Sequence, residues 1–223
     1  MLLDTFDALK HILWPMRCAS CEVLLPESSR SLCEECQASV LDASGMPLPE
    51  NIDQAFAFFR YEGTVQSLIA KWKYHEDYAA QKAILDFLPS HLEAIRSMAE
   101  GVDCMIPVPP HPRRLRERGF DPVWSFASKL HRMMENASMK VDFRDDVLMR
   151  TRHTAHQAGL NHEQRMHNLD GAFKVADGFA AEKVLLIDDV TTTGATGSVC
   201  AGVLKAAGVK WVGFIALAHT VKS

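Results

Sequence analysis

The sequence has no run of about 18 consecutive apolar residues, the length that a helix needs to cross a bilayer. Its first residues lack the apolar centre of a secretory signal peptide, because Asp4, Asp7 and Lys10 interrupt it. Positive charge is not in excess either, since 24 Lys and Arg oppose 28 Asp and Glu, for a formal net charge of −4. These absences argue against a membrane-spanning protein, a secreted protein and a nonspecific coat for duplex DNA. We expect a cytoplasmic protein, with peripheral contact at the inner membrane as the alternative.

The composition is that of a globular protein: of 223 residues, 48% are hydrophobic and 23% are charged. Short apolar runs alternate with segments of helical periodicity, which predicts an α/β fold with a parallel sheet flanked by helices. Residues 144–171 are polar and rich in Arg and His. The predicted strands are 55–61, 102–108, 183–187 and 211–218, and the predicted helices extend from Gly63 to about Met98, start at Asp121-Pro122, and run from about Thr196 to Ala207.

The chain is predicted to contain two domains. Residues 46–54 carry two prolines and several polar side chains, and we interpret them as a linker. We therefore expect a small domain over residues 1–50 and a larger α/β domain over 51–223. Within the small domain, residues 2–13 have apolar side chains at helical spacing. This helix is interpreted as docked on its own protein, with a membrane-surface helix as the alternative.

Four of the six cysteines form two Cys-x-x-Cys pairs that are eleven residues apart: Cys18 with Cys21, and Cys33 with Cys36. Two such pairs can hold one Zn²⁺ ion, and a segment this short buries too little apolar surface to fold without such support. Four thiolates leave no open coordination position, which indicates structural zinc in a zinc-ribbon-like domain. The alternatives are four free cysteines or a redox pair. Cys104 and Cys200 are interpreted as ordinary buried residues.

The segment Val184–Thr196 contains the strongest functional signal. A buried strand ends in Asp188 and Asp189, and a loop of threonines with one glycine then leads into a helix. Parallel sheets bind ligands at the carboxyl ends of strands, and backbone N–H groups at a helix N-terminus attract phosphate. The two carboxylates suit sugar hydroxyls or a hydrated Mg²⁺ ion, so the combination predicts a sugar phosphate. The sequence contains neither a Walker loop nor a dinucleotide fingerprint, and the alternative is a capped helix without a ligand.

This segment resembles the phosphoribosyl pyrophosphate (PRPP) signature of type I phosphoribosyltransferases. Further motifs are similar to the ComF/GntX family, and they cover nearly the whole chain in the same order. They are the four-cysteine knuckle, Lys73-Tyr74, 106–109, 118–120, Arg150-x-Arg152, Gln157, Arg165, Asn168 and 171–173. One departure is visible, because the family usually has an Asn-Gln-like pair where this chain has Asp121-Pro122.

The resemblance implies a type I phosphoribosyltransferase-like sheet with a PRPP site at one edge. Asp188 and Asp189 would bind the ribose hydroxyls of Mg²⁺-PRPP and would lie near the positive charge that develops on the ribose ring. Pyrophosphate would contact Val108, Pro109 and Arg118. The 5′-phosphate would be held by Thr191, Thr192, Thr193, Gly194, Ala195 and Thr196.

A mobile hood closes over PRPP in type I phosphoribosyltransferases, and by resemblance residues 150–170 are its counterpart. Gln157, Arg165 and Asn168 are the hood residues expected to touch the ligand, and Arg165 joins the two aspartates as a catalytic candidate. His153 and His156 could suggest a metal site. A solvated loop is favoured, because no carboxylate or cysteine is in register with them.

Four arginines between 113 and 118 form a candidate anion-binding loop. They could hold pyrophosphate, bind an acidic partner, or contact single-stranded nucleic acid beside Trp124 or Phe120, and a solvated loop is the remaining alternative. For Lys73, an ordinary surface position near a helix C-terminus is equally consistent. The nucleic-acid candidates are Arg113, Arg114, Arg116 and Lys73.

Three hypotheses about function stay open at this point. The first is an active phosphoribosyltransferase of nucleotide salvage with an unidentified nitrogen acceptor. The second is a PRPP-binding module without turnover, in which the ligand switches a partner interaction. The third comes from the family, whose members are associated with natural competence and the use of DNA as a nutrient. It implies single-stranded DNA on the cytoplasmic side, beside a helicase-like or recombination partner. The second and third are favoured together, and turnover is left open.

Overall fold

The computed structural model describes residues 15–26, 31–43, 45–151 and 171–220. The strands are β1 (Gln54–Arg60), β2 (Cys104–Pro107), β3 (Asp142–Phe143), β4 (Leu148–Arg150), β5 (Phe173–Val175), β6 (Lys183–Thr191) and β7 (Trp211–His219). The α-helices are α1 (Glu34–Ala38), α2 (Gly63–His75), α3 (Tyr78–Leu85), α4 (Leu92–Ala99), α5 (Pro112–Arg118), α6 (Pro122–Asn136) and α7 (Ala195–Ala206), and a 3-10 helix spans Leu88–His91.

Contacts between residues divide the chain into two compact units. One contains the described residues up to Leu41 together with Glu62–Phe87, and the other contains Asp42–Tyr61 and the described residues from Leu88 onward. The domain boundary predicted after residue 50 stays a prediction, because close contacts do not show which segments fold on their own.

The second unit contains a five-stranded sheet in the order β1-β7-β6-β2-β3, and its neighbouring strands are parallel. Helix α6 packs on β2 and β6, and α7 packs on β6 and β7. Both faces of the central strands are therefore covered, which explains why β6 and β7 are apolar over most of their length. The predicted α/β fold, a parallel sheet flanked by helices, is confirmed.

The structure corrects several sequence-based boundaries. Strand β6 extends to Thr191 because β7 pairs with it as far as His219, so Asp188 and Asp189 lie inside the strand rather than after it. The segment predicted as helical from Gly63 to about Met98 is divided into four shorter elements, and the left-handed Glu76 ends the first. Strands β3, β4 and β5 were not predicted, because each is only two or three residues long.

The arginine-rich segment predicted as a loop is helix α5. The His111 ring accepts a hydrogen bond from the Arg113 backbone N–H, Pro112 occupies the first turn, and Gly119 ends the helix with a φ of 73°. These are standard start and stop signals for a helix, and they outweigh the high density of charge.

Among the described residues, no helix has the length and apolar character that crossing a bilayer requires. The helix predicted over residues 2–13 lies outside the described residues.

Candidate functional site

The four predicted metal-ligating cysteines come together in the first unit. The Sγ atoms of Cys18, Cys21, Cys33 and Cys36 all lie within 4.8 Å of one another, and Cys21 Sγ is 3.7 Å from Cys33 Sγ. Tetrahedral zinc with Zn–S bonds of about 2.3 Å requires sulfur atoms about 3.8 Å apart, so the cluster fits such an ion. The four cysteines are positioned to bind one metal ion, consistent with structural zinc.

The electrostatics of the cluster favour a bound cation. Burial opposes ionisation of Cys18, but the backbone N–H groups of Cys21, Cys33 and Ser20 outweigh it and lower the pKa of Cys18 to about 6. Burial is the largest of the effects that raise the pKa of Cys36 to about 12; the neighbouring thiols add to it, and a hydrogen bond with Thr64 opposes it. Four thiolates therefore cannot ionise together at neutral pH unless a cation compensates their charge.

Helix α2 supports the cluster from within the same unit. Lys71 Nζ donates to the backbone carbonyl of Ser20 at 3.0 Å and pairs with Glu22 at 2.7 Å. Near Cys36, Thr64 Oγ1 lies 2.7 Å from Ser39 Oγ. Sequence analysis missed both Lys71 and Thr64, because contacts across roughly fifty and twenty-five residues leave no signal in the local pattern.

The second unit places the predicted phosphate loop between β6 and α7. Gly194 has a φ of 74° and begins α7, which is twelve residues long. The N-terminal N–H groups of such a helix are without partners within the helix and carry partial positive charge. Thr193 Oγ1 is buried and has no hydrogen-bond partner among the described residues. The loop therefore offers polar groups that the described structure leaves unused.

The acid pair lies inside β6, and Val190 and Thr191 separate it from this loop. The Asp189 backbone N–H donates to Asp188 Oδ1 at 2.8 Å, and the Val190 N–H donates to Asp189 Oδ1. These bonds fix both carboxylates against the strand. The Val108 N–H donates to the Ile187 carbonyl at 2.9 Å, so the chain that leaves β2 toward Pro109 begins beside the acid pair. The structure thus brings together Val108, Asp188, Asp189 and the loop as far as Thr196.

Charged groups from other elements act on the same edge of the sheet. Burial lowers the pKa of the Arg150 guanidinium, and the positive charge of Arg114 lowers it further. The negative charge of Asp188 raises this pKa and so opposes the other two effects. Burial also raises the pKa of Asp121, which feels the charges of Asp189 and Arg118. This carboxylate caps α6 by accepting from the N–H groups of Val123 and Trp124.

Helix α5 separates the candidate arginines into two groups. Arg114 and Arg118 are four residues apart and share one face, which acts electrostatically on Arg150 and Asp121. Arg113 pairs with Glu117 at 2.6 Å, and Arg116 projects about 200° around the helix from Arg114. The interpretation of Arg113, Arg114 and Arg116 as nucleic-acid contacts stays a prediction. Lys73 lies in α2, within the other unit.

The segment interpreted as a linker is bound along helix α7. Pro49 packs against Gly194, where an added Cβ would lie 2.6 Å from the Pro49 Cβ. The Glu50 carbonyl accepts from Ser198 Oγ at 2.5 Å. Asp53 pairs with Lys205 at 2.9 Å and accepts from the Val212 N–H at 2.7 Å. We call residues 49–53 the strap. The sequence suggested a linker here because the residues that bind the segment lie about 150 positions away and leave no local signal.

His219 is the main residue of this edge that sequence analysis missed. It ends β7, is 6% exposed, and is in register with Thr191 of β6 and Arg60 of β1. Its position at the carboxyl end of a predicted strand was the available signal. Gln157, Arg165 and Asn168, with Arg152, His153 and His156, lie outside the described residues, so their roles stay predictions.

These features define a class: an α/β protein with a cluster of polar groups at one edge of its parallel sheet and four cysteines positioned to bind a metal ion. No protein-family model matches the chain. The chain is 31% identical over 111 residues to Competence protein F of Haemophilus influenzae. The match covers 48% of this chain and 46% of that protein, so it spans about half the length of this relative. The match and the cysteine cluster together confirm the predicted resemblance to ComF-type proteins with an N-terminal zinc knuckle.

Proposed function

We propose that this protein binds Mg²⁺-PRPP at the carboxyl edge of β6 and acts in the uptake or use of external DNA. It handles single-stranded DNA on the cytoplasmic side, beside a helicase-like or recombination partner. The observation that carries the PRPP part is the acid pair, fixed on β6 shortly before a phosphate-type loop and a twelve-residue helix. The competence part rests on the similarity to Competence protein F.

Each group at the edge has a role that its chemistry supports. Asp188 and Asp189 accept hydrogen bonds from the ribose hydroxyls or bind the hydrated Mg²⁺ ion that accompanies PRPP. The residues from Thr192 to Thr196 hold the 5′-phosphate at the positive end of α7. Arg114, Arg118 and Arg150 carry the positive charge that pyrophosphate requires, since guanidinium groups match phosphate oxygens in bidentate geometry.

The metal knuckle holds one structural Zn²⁺ ion and supplies a rigid surface for a macromolecular partner. Arg113 and Arg116 project away from the face of α5 that carries Arg114 and Arg118, and both are exposed to nucleic-acid phosphates, for which Arg113 would exchange its pairing with Glu117. The net charge of −4 predicts weak DNA binding that depends on such local groups.

The test is calorimetric titration with PRPP and Mg²⁺, followed by a pyrophosphate-release assay with nitrogenous bases and single-stranded DNA as acceptors. We expect binding without release. Asp188→Asn with Asp189→Asn should weaken PRPP binding at least a hundredfold, because the neutral amides lose the charge that attracts Mg²⁺. Asp145→Asn with Asp146→Asn is the control, since it removes the same charge from another pair of adjacent aspartates, which is exposed.

Unchanged PRPP affinity in the Asp188 and Asp189 variant would refute the site. Release of pyrophosphate would instead favour the alternative function, an active phosphoribosyltransferase of nucleotide salvage, which the intact acid pair and loop also support.

The DNA part is tested separately with a single-stranded oligonucleotide across a range of salt concentrations. Arg113→Ala with Arg116→Ala should lower the slope of log affinity against log salt by about 0.7 for each lost phosphate contact. Arg114→Ala should affect PRPP more strongly than DNA. A wild-type slope near zero would exclude phosphate contacts.

A further inference from the structure

The buried histidine at the end of β7 lies against the loop that follows β6. The backbone of Thr192 accepts a hydrogen bond from the His219 ring, and this bond favours the protonated form because a carbonyl can only accept. Burial is the larger effect and lowers the pKa of His219 below its ordinary value, so the ring is neutral at neutral pH. Arg60 of β1 is the charged residue in register with it, while β6 contributes the uncharged Thr191.

The tautomer of the ring follows from its contacts. His219 Nδ1 is buried and has no hydrogen-bond partner among the described residues. The donor to Thr192 is therefore the other ring nitrogen, Nε2, and a neutral imidazole then carries its single proton there. This arrangement leaves a buried acceptor unsatisfied, which costs free energy of folding. An apolar side chain would avoid that cost but would also remove the donor to the Thr192 carbonyl, so this hydrogen bond is the distinctive contribution of the histidine.

The bond to Thr192 has a consequence for the next residue. No described peptide bond is cis, and in a planar trans peptide the C=O and N–H groups point in opposite directions. Because the Thr192 carbonyl points toward His219, the Thr193 N–H points away from it, at the start of the turn that leads into α7. Thr193 Oγ1 also has no partner within the described residues. The ring thus fixes the carbonyl side of the peptide group between Thr192 and Thr193.

We propose that His219 is a positioning residue for the 5′-phosphate site: its Nε2–H holds the Thr192 carbonyl and thereby keeps the Thr193 N–H oriented for an anion. The inference rests on the proposed function, because the phosphate of PRPP is the anion. His219 acts through the loop and is not assigned a contact with the ligand.

The test compares three variants of the full chain by titration with Mg²⁺-PRPP and with ribose 5-phosphate. His219→Leu removes the donor, and we expect both ligands to bind about tenfold more weakly, the effect of one lost hydrogen bond. His219→Gln places an amide N–H near the position of Nε2 and should recover affinity to within about threefold of the wild type. His219→Asn is too short to reach Thr192 and should resemble His219→Leu. Thermal unfolding serves as the control, because the pattern of rescue should not follow the melting temperatures.

The outcomes separate the two proposals. If the wild type binds neither ligand, the proposed function fails and the role of His219 fails with it. If the wild type binds PRPP and His219→Leu binds it equally well, only the role of His219 is refuted. Equal weakening in the Leu, Asn and Gln variants would also refute it, since packing rather than the N–H would then be responsible. If His219→Leu does not fold, the contrast between the Gln and Asn variants still decides.

Discussion

The cysteine knuckle and the parallel sheet obtain their structure from different sources. In the knuckle, the apolar side chains of Val23 and Leu24 are 51% and 57% exposed, and the groups that lie close together are the four cysteine sulfur atoms. In the sheet, Ile106, Leu186 and Phe214 are completely buried. A covered apolar core gains stability from burial, whereas a small segment with exposed apolar side chains requires a bound ion. We therefore expect the knuckle to depend on a bound metal and the sheet to fold without one.

The largest expected effect comes from disrupting the metal ligands. Cys18→Ser with Cys21→Ser should release one metal ion per chain, and structural zinc contributes about 10–16 kcal/mol in isolated zinc-finger peptides. Elemental analysis measures the loss, and hydrogen exchange should rise in residues 15–41 while β6 and β7 stay protected. Cys104→Ala is the control, because Cys104 lies in β2 and should leave the metal content unchanged. A wild-type protein without metal would contradict the prediction.

A cavity in the sheet should destabilise the sheet and leave the metal bound. Phe214→Ala removes a completely buried ring that packs on Gly197, and we expect a loss of about 3–5 kcal/mol in the free energy of unfolding. Denaturant titration measures the loss, and the metal should stay bound until the sheet has unfolded. Leu48→Ala, at a 59% exposed position, should cost less than about 0.5 kcal/mol. Metal release by Phe214→Ala without denaturant would show that the two regions are not independent.

A smaller effect is expected at the turn into α7. Gly194→Ala introduces a Cβ at a positive φ and directly against Pro49, so we expect destabilisation by about 2–3 kcal/mol. Gly178→Ala is the matched control, since Gly178 has a similar φ of +76° but no atom within 4 Å of the added Cβ. It should cost about 1 kcal/mol. Equal losses at the two positions would show that the strap yields to the new methyl group.

The smallest expected effect is a pH-dependent change in the stability of the sheet. Asp103 accepts from the N–H groups of Lys183 and Glu182 at 2.9 and 2.8 Å, and these bonds lower its pKa below the ordinary value of 3.8. A depressed pKa stabilises the folded state above pH 4, and this contribution disappears as the pH falls through the folded-state pKa. Asp103→Asn should therefore cost about 0.5–1 kcal/mol at pH 7 and almost nothing near pH 2. A difference that is independent of pH would contradict the assignment.

Local signals in the sequence predicted much of this molecule. The apolar runs predicted four strands of the main sheet, and the Asp121-Pro122 cap predicted the start of α6. The Cys-x-x-Cys spacing predicted the metal cluster because each pair lies within one short turn. Contacts between distant residues were not predictable in this way. His219 lies beside Thr192 because β6 pairs with β7, and the strap contacts α7 although about 150 residues separate them in the sequence.

The arginines of α5 show what a secondary structure adds to a set of candidate residues. A loop leaves all four arginines equivalent, so the sequence kept pyrophosphate, single-stranded nucleic acid and an acidic partner open for all of them. Once the segment is a helix, its 100° step between residues assigns Arg114 and Arg118 to one face. Helix geometry, rather than charge, therefore separates the face that carries Arg114 and Arg118 from the one that carries Arg116.

The strap has a practical consequence for dividing the chain. A shortened protein that starts at residue 55 would keep every strand of the main sheet except the first residue of β1. It would nonetheless lose Pro49, the Glu50 carbonyl and Asp53, and with them the partners of Gly194, Ser198 and Lys205. A shortened protein that starts at Asp42 retains all of these contacts. Gene fusions and expression trials on the sheet region should therefore cut the chain before residue 42. A cut there removes the cysteines but keeps the strap residues that contact the first turn of α7.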